Sequence, residues 1–389
     1  MSTDKENFEL VAKTFRGLEE VLASELRELG AENVKIRKRA VVFESDKELM
    51  YRANFHLRTA LRVLKPVFSF RARDEDQLYK EAYEFDWTKF LSNKTTFAVD
   101  GVLNSPYFNH SQYIALKVKD AIADQFRERT GLRPSVDTGS PDVRLNLHIS
   151  GDNCTILLDS SGESLHKRGY RTAGYTAPIN EVLAAGLVKL TGWRGESNFL
   201  DPMCGSGTIV LEAAMMAANI PPGLYRKEFG FEKWGDFDPS LYENVTGEEL
   251  PERDINYKII GSDISPGAVK IARANAKNAF LHRKVEFRIS SIDDFVPPEG
   301  GGIVVVNPPY GERIKNNDPV FFHSLIGDNL KNKYAGYRAW ILSGNTDAIK
   351  HVGLKPSKKL VLYNGPLECR FHEFEVYSGS KKQKKNYKT

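Results

Sequence analysis

Four consecutive residues, Asn307-Pro308-Pro309-Tyr310, combine groups that could act on a nucleobase, and they directly follow the apolar run 303–306. The Asn307 side-chain oxygen and the Pro308 carbonyl can both accept hydrogen bonds from an exocyclic amino group. That would hold the nitrogen toward sp3 geometry and free its lone pair. Tyr310 can stack on a base taken out of its helix, and the two prolines stiffen the loop because each fixes φ. The motif predicts methylation of a base amino group; the plainer interpretation is a Pro-rich turn.

A glycine-rich loop lies upstream at residues 201–208 (DPMCGSGT), between a short apolar strand and a predicted helix at 209–217. A strand–loop–helix unit offers backbone N–H groups and a helix N-terminus to an anionic or polar ligand. The loop lacks the G-x-x-x-x-G-K-[ST] pattern of nucleoside triphosphatases, and it is not the G-x-G-x-x-G dinucleotide pattern either. Asp201, just before the glycines, could bind the ammonium group of S-adenosylmethionine.

A second acid, Asp263, ends the apolar run 258–262. Ser265 is a good N-cap and Pro266 a good first residue for the helix that follows. An acid at the end of the second strand binds ribose hydroxyls in dinucleotide folds, so Asp263 is placed to do the same. The alternative is a solvated acid beside a helix cap. Residues 219–256, which precede this strand, are rich in charges and are interpreted as an insertion.

Together the three motifs resemble those of class I S-adenosylmethionine-dependent methyltransferases, and more narrowly the THUMP-domain RNA methyltransferases of the RlmL type. The similarity extends to residues 158–171 and 177–181, and so covers most of the chain. The resemblance implies methylation of guanine N2 in 23S ribosomal RNA, with S-adenosylmethionine as cofactor and no metal. Members of this family are often labelled N6-adenine-specific DNA methylases because of the N-P-P-Y motif.

The resemblance also implies which residues act on the base and which hold the cofactor. The catalytic residues are Asn307, Pro308, Pro309 and Tyr310. The cofactor-binding residues are Asn180, Glu181, Asp201, Pro202, Cys204, Gly205, Gly207, Thr208, Asp263, Ile264, Ser291, Ile292, Asp293 and Asn307. Relatives carry an acid at the position of Ser291, so either Ser291 or Asp293 would meet the adenine amino group, and this stays open. Asn180 and Glu181 would border the methionine end, unless they only begin a helix.

Composition excludes several other classes of protein. A chain of 389 residues predicts about two or three domains, and no apolar run approaches the length of a membrane span. Residues 1–7 are polar and charged, so we expect no signal segment and a cytoplasmic location. Cys154, Cys204 and Cys369 are odd in number and widely spaced, which indicates neither a disulfide framework nor a zinc site. Cys204 is interpreted as a small packing residue.

Basic residues are clustered although the formal net charge is only +4. The segment 49–73 contains six arginines and lysines and no acid, and further cations lie at 166–171. The predicted RNA-binding residues are Arg52, Arg58, Arg62, Lys65, Arg71, Arg73, Lys167, Arg168 and Arg171. A basic tail at 381–389, predicted to be disordered, could also neutralise phosphates. The alternative is a solvated face and a solubilising tail.

The order of elements predicts two α+β regions in the first 165 residues. Residues 1–65 follow a β-α-β-β-α-β order, which is ferredoxin-like. Residues 66–165 resemble a THUMP domain, an RNA-binding module. They contain no aromatic-rich RNP signature and no GXXG clamp, so binding there would depend on shape and backbone contacts.

Residues 166–380 are predicted to form an α/β class I methyltransferase domain with a Rossmann-like, doubly wound sheet of seven strands. Asn364-Gly365 is a hairpin turn signal, so the last strand should run antiparallel to its neighbours. Ligands bind at the carboxyl ends of the strands in such sheets. Asp201, Asp263 and Asn307 all fall there.

The expected reaction is direct in-line transfer of a methyl group to a base amine in RNA, with 23S ribosomal RNA or a pre-ribosomal particle as partner and no membrane. Positioning and fixed acceptors around the amino group would supply most of the catalysis. Two alternatives stay open. One is an N6-adenine methyltransferase on DNA or RNA, because a catalytic motif defines reaction class better than substrate. The other is a non-catalytic ribosomal RNA-binding assembly factor.

Overall fold

The computed structural model describes residues 7–171, 178–248, 253–309 and 318–377. The strands are β1 (Phe8–Lys13), β2 (Glu32–Arg37), β3 (Ala40–Ser45), β4 (Arg62–Arg71), β5 (Thr96–Asn104), β6 (Ser135–Val136), β7 (Val143–Ser150), β8 (Asn153–Asp159), β9 (Asn198–Asp201), β10 (Ile259–Asp263), β11 (Glu286–Ile289), β12 (Gly302–Val306), β13 (Tyr337–Ser343), β14 (Lys358–Asn364) and β15 (Leu367–Glu375). The helices are α1 (Glu19–Glu28), α2 (Lys47–His56), α3 (Glu75–Glu84), α4 (Ser111–Thr130), α5 (Glu181–Leu190), α6 (Thr208–Ala217), α7 (Pro239–Gly247), α8 (Pro266–Asn278) and α9 (Pro319–Lys333).

The chain divides into two compact units. The first takes Met1–Thr14, Leu22–Lys167 and Arg226–Glu249, and the second takes Phe15–Val21, Arg168–Tyr225 and Leu250–Thr389. Each unit is built on its own sheet.

The first unit contains an eight-stranded sheet in the order β2-β3-β1-β4-β8-β7-β5-β6. One face of β1 and β3, with Leu10 and Phe43, packs on buried residues of α1 and α2 such as Leu26 and Met50. Antiparallel pairing of β3 with β1 and β2, and of β1 with β4, completes the predicted ferredoxin-like arrangement. The fold expected for this region is confirmed.

Strand β4 belongs to both halves of this sheet. Its start pairs with β1, and the stretch from Leu64 to Arg71 pairs with β8. Pro66 cannot donate a ladder hydrogen bond, and the register shifts between Pro66 and Phe68, as expected at a bulge. The ferredoxin-like and THUMP regions therefore share one continuous sheet, and the predicted boundary between residues 65 and 66 falls inside one strand.

Residues 226–248, part of the predicted insertion 219–256, complete the core of the first unit. The ring of Phe231 stacks on Tyr51 with centroids 4.3 Å apart. The backbone N–H of Asp238 donates to the Tyr51 hydroxyl across 3.1 Å. This segment is therefore a packed structural arm, although it is inserted within the sequence of the second unit.

Helix α2 ends at His56. The cause is Glu25 of α1, a buried carboxylate. It accepts hydrogen bonds from the Thr59 backbone N–H at 2.9 Å and from the Thr59 hydroxyl. These bonds hold residues 57–61 out of the helix and lead the chain into β4.

The second unit contains a seven-stranded sheet in the order β11-β10-β9-β12-β13-β15-β14. All neighbours are parallel except β15, which runs antiparallel to β13 and β14. The turn between β14 and β15 contains Gly365 at φ 63°, directly after Asn364, which pairs with Leu367. The doubly wound sheet with a reversed last strand is confirmed.

Candidate functional site

Three adjacent parallel strands bring the predicted polar residues to one edge of the second sheet. β9 lies between β10 and β12, with Gly261 opposite Asp201 and Val304 opposite Leu200. Asp201 and Asp263 end their strands, and Asn307 follows β12 directly. Because the strands are parallel, their carboxyl ends meet at the same edge.

A cavity of about 440 Å³ opens at this edge. Eleven of the predicted cofactor residues line it: Asp201, Pro202, Cys204, Gly205, Thr208, Asp263, Ile264, Ser291, Ile292, Asp293 and Asn307. Pro308 and Pro309 line it as well. Tyr310 lies outside the described residues. The residues attributed to cofactor and to base thus surround one chamber.

Asp201 is almost fully enclosed, with 1% of its surface exposed. Its carboxylate accepts a hydrogen bond from the Met203 N–H at 3.1 Å. Burial raises the pKa of Asp201 to about 8, and the nearby charge of Asp263 acts in the same direction. Asp201 therefore favours its neutral form at neutral pH unless a cation binds beside it.

Asp263 joins the glycine loop to the start of α8. One carboxylate oxygen accepts from the Gly205 N–H at 3.0 Å, and the other from the Ser265 N–H at 2.9 Å. Ser265 caps α8 through its own side chain, which accepts from Ala268 N–H at 3.3 Å. Each carboxylate oxygen can accept a further hydrogen bond, so Asp263 can hold a hydroxyl pair from the cavity side.

The two glycines of the loop have different roles. Gly205 lines the cavity at φ 53°, and a Cβ there would meet no atom within 4 Å. Gly207, at φ 81°, does not line the cavity. A Cβ on Gly207 would come within 2.8 Å of the Phe287 ring. Gly207 is therefore required where the loop packs closely on Phe287 of β11 and Ala272 of α8. Its direct contact with the cofactor stays a prediction.

Cys204 is buried in the same loop. Its backbone N–H donates to the Ser262 carbonyl at 2.9 Å. Burial raises the pKa of the Cys204 thiol well above its usual value, and the charges of Asp201 and Asp263 add to the effect. A neutral thiol is a poor nucleophile, in agreement with the packing role expected for it.

Ser291 and Asp293 both line the cavity after β11. The Ser291 hydroxyl donates to the Asp294 carboxylate at 2.6 Å and accepts from Asp294 N–H at 3.1 Å. One carboxylate oxygen of Asp293 accepts from the Asn329 side chain at 2.6 Å. No side chain of the described residues donates to the second oxygen of Asp293, so this oxygen can accept a hydrogen bond from a ligand amino group.

Asn180 and Glu181 do not line the cavity. The Asn180 side chain caps α5 by accepting from Val182 N–H at 2.9 Å. Glu181 lies 2.8 Å from the Arg171 guanidinium, which also donates to the Thr208 hydroxyl at 3.1 Å. Burial raises the pKa of Glu181 to about 7 although Arg171 lowers it. Glu181 therefore stabilises the glycine loop indirectly, because it holds Arg171, which donates to Thr208.

Sequence reasoning missed an apolar wall of the cavity on α9. Phe322 and Leu325 line it together with Pro309. Their spacing of three residues places both on one face of a helix, a signal that was present but not assigned to the site. Met203, Ile179 and Ser290 also line the cavity, although none of them is among the predicted cofactor residues.

The basic segment 49–73 is compensated by acids that are distant in sequence. The Arg52 guanidinium forms an ion pair with Glu248. Arg62 forms one with Asp159, whose side chain is fully buried. A guanidinium that already pairs with a carboxylate attracts a phosphate less strongly. Arg52 and Arg62 are therefore not uncompensated cations for RNA binding.

Two other cations of the segment 49–73 also contact side chains of the protein. Arg73 lies 3.1 Å from Asp152, and the Lys65 ammonium lies 3.9 Å from the centre of the Phe8 ring. Arg71, at the end of β4, is exposed. Of these three predicted contacts, only Arg71 has no such partner among the residues that the structure describes.

The remaining predicted contacts divide between surface and interior. Lys167 is exposed and pairs with Glu163 at 2.6 Å, while Arg58 is half-buried. Arg168 is 2% exposed, and its guanidinium lies 3.3 Å from the buried Glu212 carboxylate. We correct the prediction for Arg168, because an enclosed ion pair has no surface on which to meet RNA. Arg171, engaged with Glu181, is better described as a support of the cofactor loop.

Two classes of site are not found in the described ranges. No three His, Cys, Asp or Glu side chains gather there into a metal site. Every helix of the described residues is too short or too polar to cross a membrane. Cys154, Cys204 and Cys369, all within the described residues, form no disulfide bond.

Comparison with known proteins agrees with this architecture. The RMKL-like methyltransferase domain family matches residues 168–373, the THUMP domain family matches 72–159, and the RlmL ferredoxin-like domain family matches 9–64. "Putative RNA methyltransferase slr0064" of Synechocystis is 39% identical over 94% of this chain and 96% of its own length. "Ribosomal RNA large subunit methyltransferase K/L" of Syntrophotalea carbinolica is 40% identical over 93% of this chain, but the match covers only 52% of that protein.

A solved structure shares the whole fold. SMU.472, described as "a putative methyltransferase complexed with SAH", is 32% identical with a TM-score of 0.86, covering 97% of this chain and all of that one. The sequence identity, the share of the chains that is covered and the order of the matched domains agree with the resemblance inferred from the motifs. This chain therefore belongs to the RMKL-like methyltransferase family, with an RlmL ferredoxin-like domain and a THUMP domain preceding its methyltransferase domain.

Proposed function

We propose that this chain transfers a methyl group from S-adenosylmethionine to an exocyclic amino group of a base in RNA, and that the acceptor is guanine N2 of 23S ribosomal RNA. The observation that carries the proposal is the convergence of Asp201, Asp263 and Asn307 on one cavity of about 440 Å³. Asp201 and Asp263, which suit the cofactor, and Asn307, which suits a base amine, then line the same cavity. Methyl transfer requires the donor and the acceptor to lie in one site.

The cavity residues fit S-adenosylmethionine. Asp201 would hold its ammonium group, since a buried acid with a pKa of about 8 becomes ionised when a cation approaches. Asp263 would accept from the ribose hydroxyls. Ile264, which is 68% exposed, and Ile292 offer apolar surface to the adenine ring, and Asp293 an acceptor for its amino group. When bound, S-adenosylmethionine supplies an electrophilic methyl group on its sulfonium.

Asn307 and Pro308 would position the acceptor nitrogen. Their carbonyl oxygens accept hydrogen bonds from the base amino group, which releases its lone pair from the ring and orients it. Pro309, Phe322 and Leu325 form an apolar wall that can exclude water from the base. The proton left on the methylated nitrogen is acidic and passes to solvent, so no residue is assigned as a general base. Catalysis then rests on positioning and fixed acceptors.

The choice of RNA is supported by the domains that precede the cavity-bearing unit and by the relatives. A THUMP domain, expected from the resemblance to bind RNA, matches residues 72–159. The chain spans about half the length of the K/L relatives, 52% in the first of them. It spans 96% of the cyanobacterial relative, whose name specifies RNA but no target. The assignment to 23S ribosomal RNA therefore stays a proposal that experiment must test.

The test is methyl transfer from radiolabelled S-adenosylmethionine to an unmodified 23S ribosomal RNA transcript, followed by mass spectrometry of the nucleosides. The expected product is N2-methylguanosine, made by the wild-type chain and reduced in Asn307→Ala. N6-methyladenosine would replace the proposed acceptor with adenine. Methylation of duplex DNA but not RNA would show that DNA is the substrate. RNA binding with no transfer to any substrate would favour an assembly factor.

A further inference from the structure

The turn between β2 and β3 carries a dense group of cations in the first unit. Lys35 and Arg37 of β2 and Lys38 and Arg39 of the turn are all exposed. The turn is tight, with Arg39 at φ 58°. We name this group, Lys35, Arg37, Lys38 and Arg39, the hairpin cluster. It lies outside the segment 49–73 to which RNA contacts were first attributed.

The hairpin cluster differs from that segment in its charge balance. Arg52, Arg62 and Arg73 each have a carboxylate partner. Lys35, Arg37 and Lys38 have none in the part of the chain that the structure describes. Three exposed cations within four residues, with no acid to neutralise them, produce a local positive potential that the net charge of +4 does not reveal.

Lys13 continues the cluster across the sheet. Arg37 is opposite Ala40, and Ala40 is opposite Lys13. Residues that are directly opposite share a face of the sheet, and this face is turned away from the core that contains Leu10 and Phe43. Burial and the charge of Arg39 both lower the pKa of Lys13, as expected where positive groups crowd together.

The acids on these strands lie at the other end. Glu32 is opposite Glu44, and Glu44 is opposite Glu9. Glu9 and Lys13 are four residues apart on β1, which corresponds to about 13 Å along a strand. The Debye length at physiological salt is about 8 Å, so the acidic row does not cancel the basic one. The sheet face is thus polarised along its strands.

We propose that the hairpin cluster, with Lys13 beside it, binds the sugar-phosphate backbone of the RNA substrate. This inference rests on the proposed function and adds a surface for the RNA outside the catalytic cavity. Phosphate is the fitting partner because Lys35, Arg37 and Lys38 have no carboxylate partner among the described residues, and the cluster has no aromatic side chain on which a base could stack. The acidic row would repel phosphates, and so orient the RNA toward the turn.

The charges on β2 also have a possible role that does not involve RNA. β2 is the outermost strand of its sheet, and charged side chains on edge strands prevent pairing between copies. That role concerns solubility and not RNA affinity. The two roles therefore predict different outcomes when the charges are removed.

The test is the full-length variant Lys35→Gln/Arg37→Gln/Lys38→Gln. Its binding to an unmodified 23S ribosomal RNA transcript is measured by filter binding over a series of salt concentrations. The matched control is Lys355→Gln/Lys358→Gln/Lys359→Gln, which removes the same charge at and beside β14, the edge strand of the other sheet. Arg39 is left unchanged because of its positive φ.

We expect the hairpin variant to bind RNA on the order of tenfold to a hundredfold more weakly at physiological salt. The slope of log affinity against log salt should decrease in magnitude by about two to three, since each lost phosphate contact contributes about 0.7–0.9. The control variant should change both quantities little. Binding of S-adenosylmethionine should be the same in all three proteins.

Four outcomes would overturn the inference. Equal loss in both variants would mean that only total charge matters. An unchanged slope with aggregation of the hairpin variant would assign the cluster to edge protection. If the wild-type chain itself fails to bind RNA, the proposed function fails together with the inference. If the wild type binds and methylates RNA but the hairpin variant binds equally well, only the inference fails.

Discussion

The carboxylate of Asp263 accepts a hydrogen bond from the backbone N–H of Gly205 across 3.0 Å. Its other oxygen accepts from the Ser265 N–H at 2.9 Å. A single side chain at the end of β10 therefore connects the glycine loop to the start of α8. The two walls between which we propose the cofactor to lie are held at a defined separation by this residue.

Asp263→Ala should weaken cofactor binding by roughly 1.5–3 kcal/mol, the value of hydrogen bonds to a charged group. The loop should also loosen, because the Gly205 N–H loses its acceptor. Isothermal calorimetry with S-adenosylmethionine measures the affinity, and Asp263→Asn, which retains one acceptor oxygen, should fall between wild type and alanine. Unchanged affinity in a folded Asp263→Ala protein would remove Asp263 from the site.

Asp201 should make the stability of the ligand-free protein depend on pH. Burial raises its pKa from the usual 3.8 to about 8. Between these values the folded state retains a proton that the unfolded state has lost, so the free energy of unfolding falls as pH rises. Asp201→Asn has no proton to lose. Its melting temperature relative to wild type should therefore increase from about pH 4 to about pH 8 and then level off. A constant difference across this range would contradict a raised pKa.

Asn307→Ala should lower turnover more than substrate binding, because its hydrogen bond to the base amine strengthens as the transition state forms. The loss should be on the order of a hundredfold or more, by analogy with removal of one preorganised polar group. Single-turnover methyl transfer is measured alongside the melting temperature. If Asn307 only stabilises the turn after β12, the variant will melt earlier and retain its rate per folded molecule.

Glu212→Gln should destabilise the second unit strongly. Its carboxylate is fully buried 3.3 Å from the equally buried Arg168 guanidinium. Removing one partner of a buried pair leaves the other charge uncompensated, at a cost of about 3–5 kcal/mol. Asp347→Asn, which breaks an exposed pair with Lys350, is the control and should change stability little, because solvent screens exposed ion pairs. Urea unfolding measures both, and equal effects would show that Arg168 is solvated.

Local patterns in the sequence were sufficient to predict most elements and the edge at which the site forms. Asp201, Asp263 and Asn307 each follow an apolar strand, and parallel strands must present their carboxyl ends together. Ser265 forms the hydrogen bond expected of it as the N-cap of α8, and Asn180 caps α5, which was the alternative to a place beside the cofactor. Such features depend on contacts over a few residues, which is why the chain order alone predicts them.

Long-range partners were not predictable in the same way. The absence of acids in 49–73 indicated a basic surface, yet Glu248 and Asp159 reach Arg52 and Arg62 from far along the chain. The sequence indicates an insertion at 219–256, but only the packing of Phe231 on Tyr51 shows that residues 226–248 belong to the first unit.

The sequence by itself determined the reaction class suggested by the motifs, the order of the elements and the strand ends that meet at the cavity. Tertiary structure alone decided which charges are paired, and hence that Arg168 is internal while Lys35, Arg37 and Lys38 have no carboxylate partner among the described residues. The physical reason is the range of each effect. Periodicity and capping act within one or two turns of chain, whereas a charge is neutralised by whatever the fold places within a few ångströms of it.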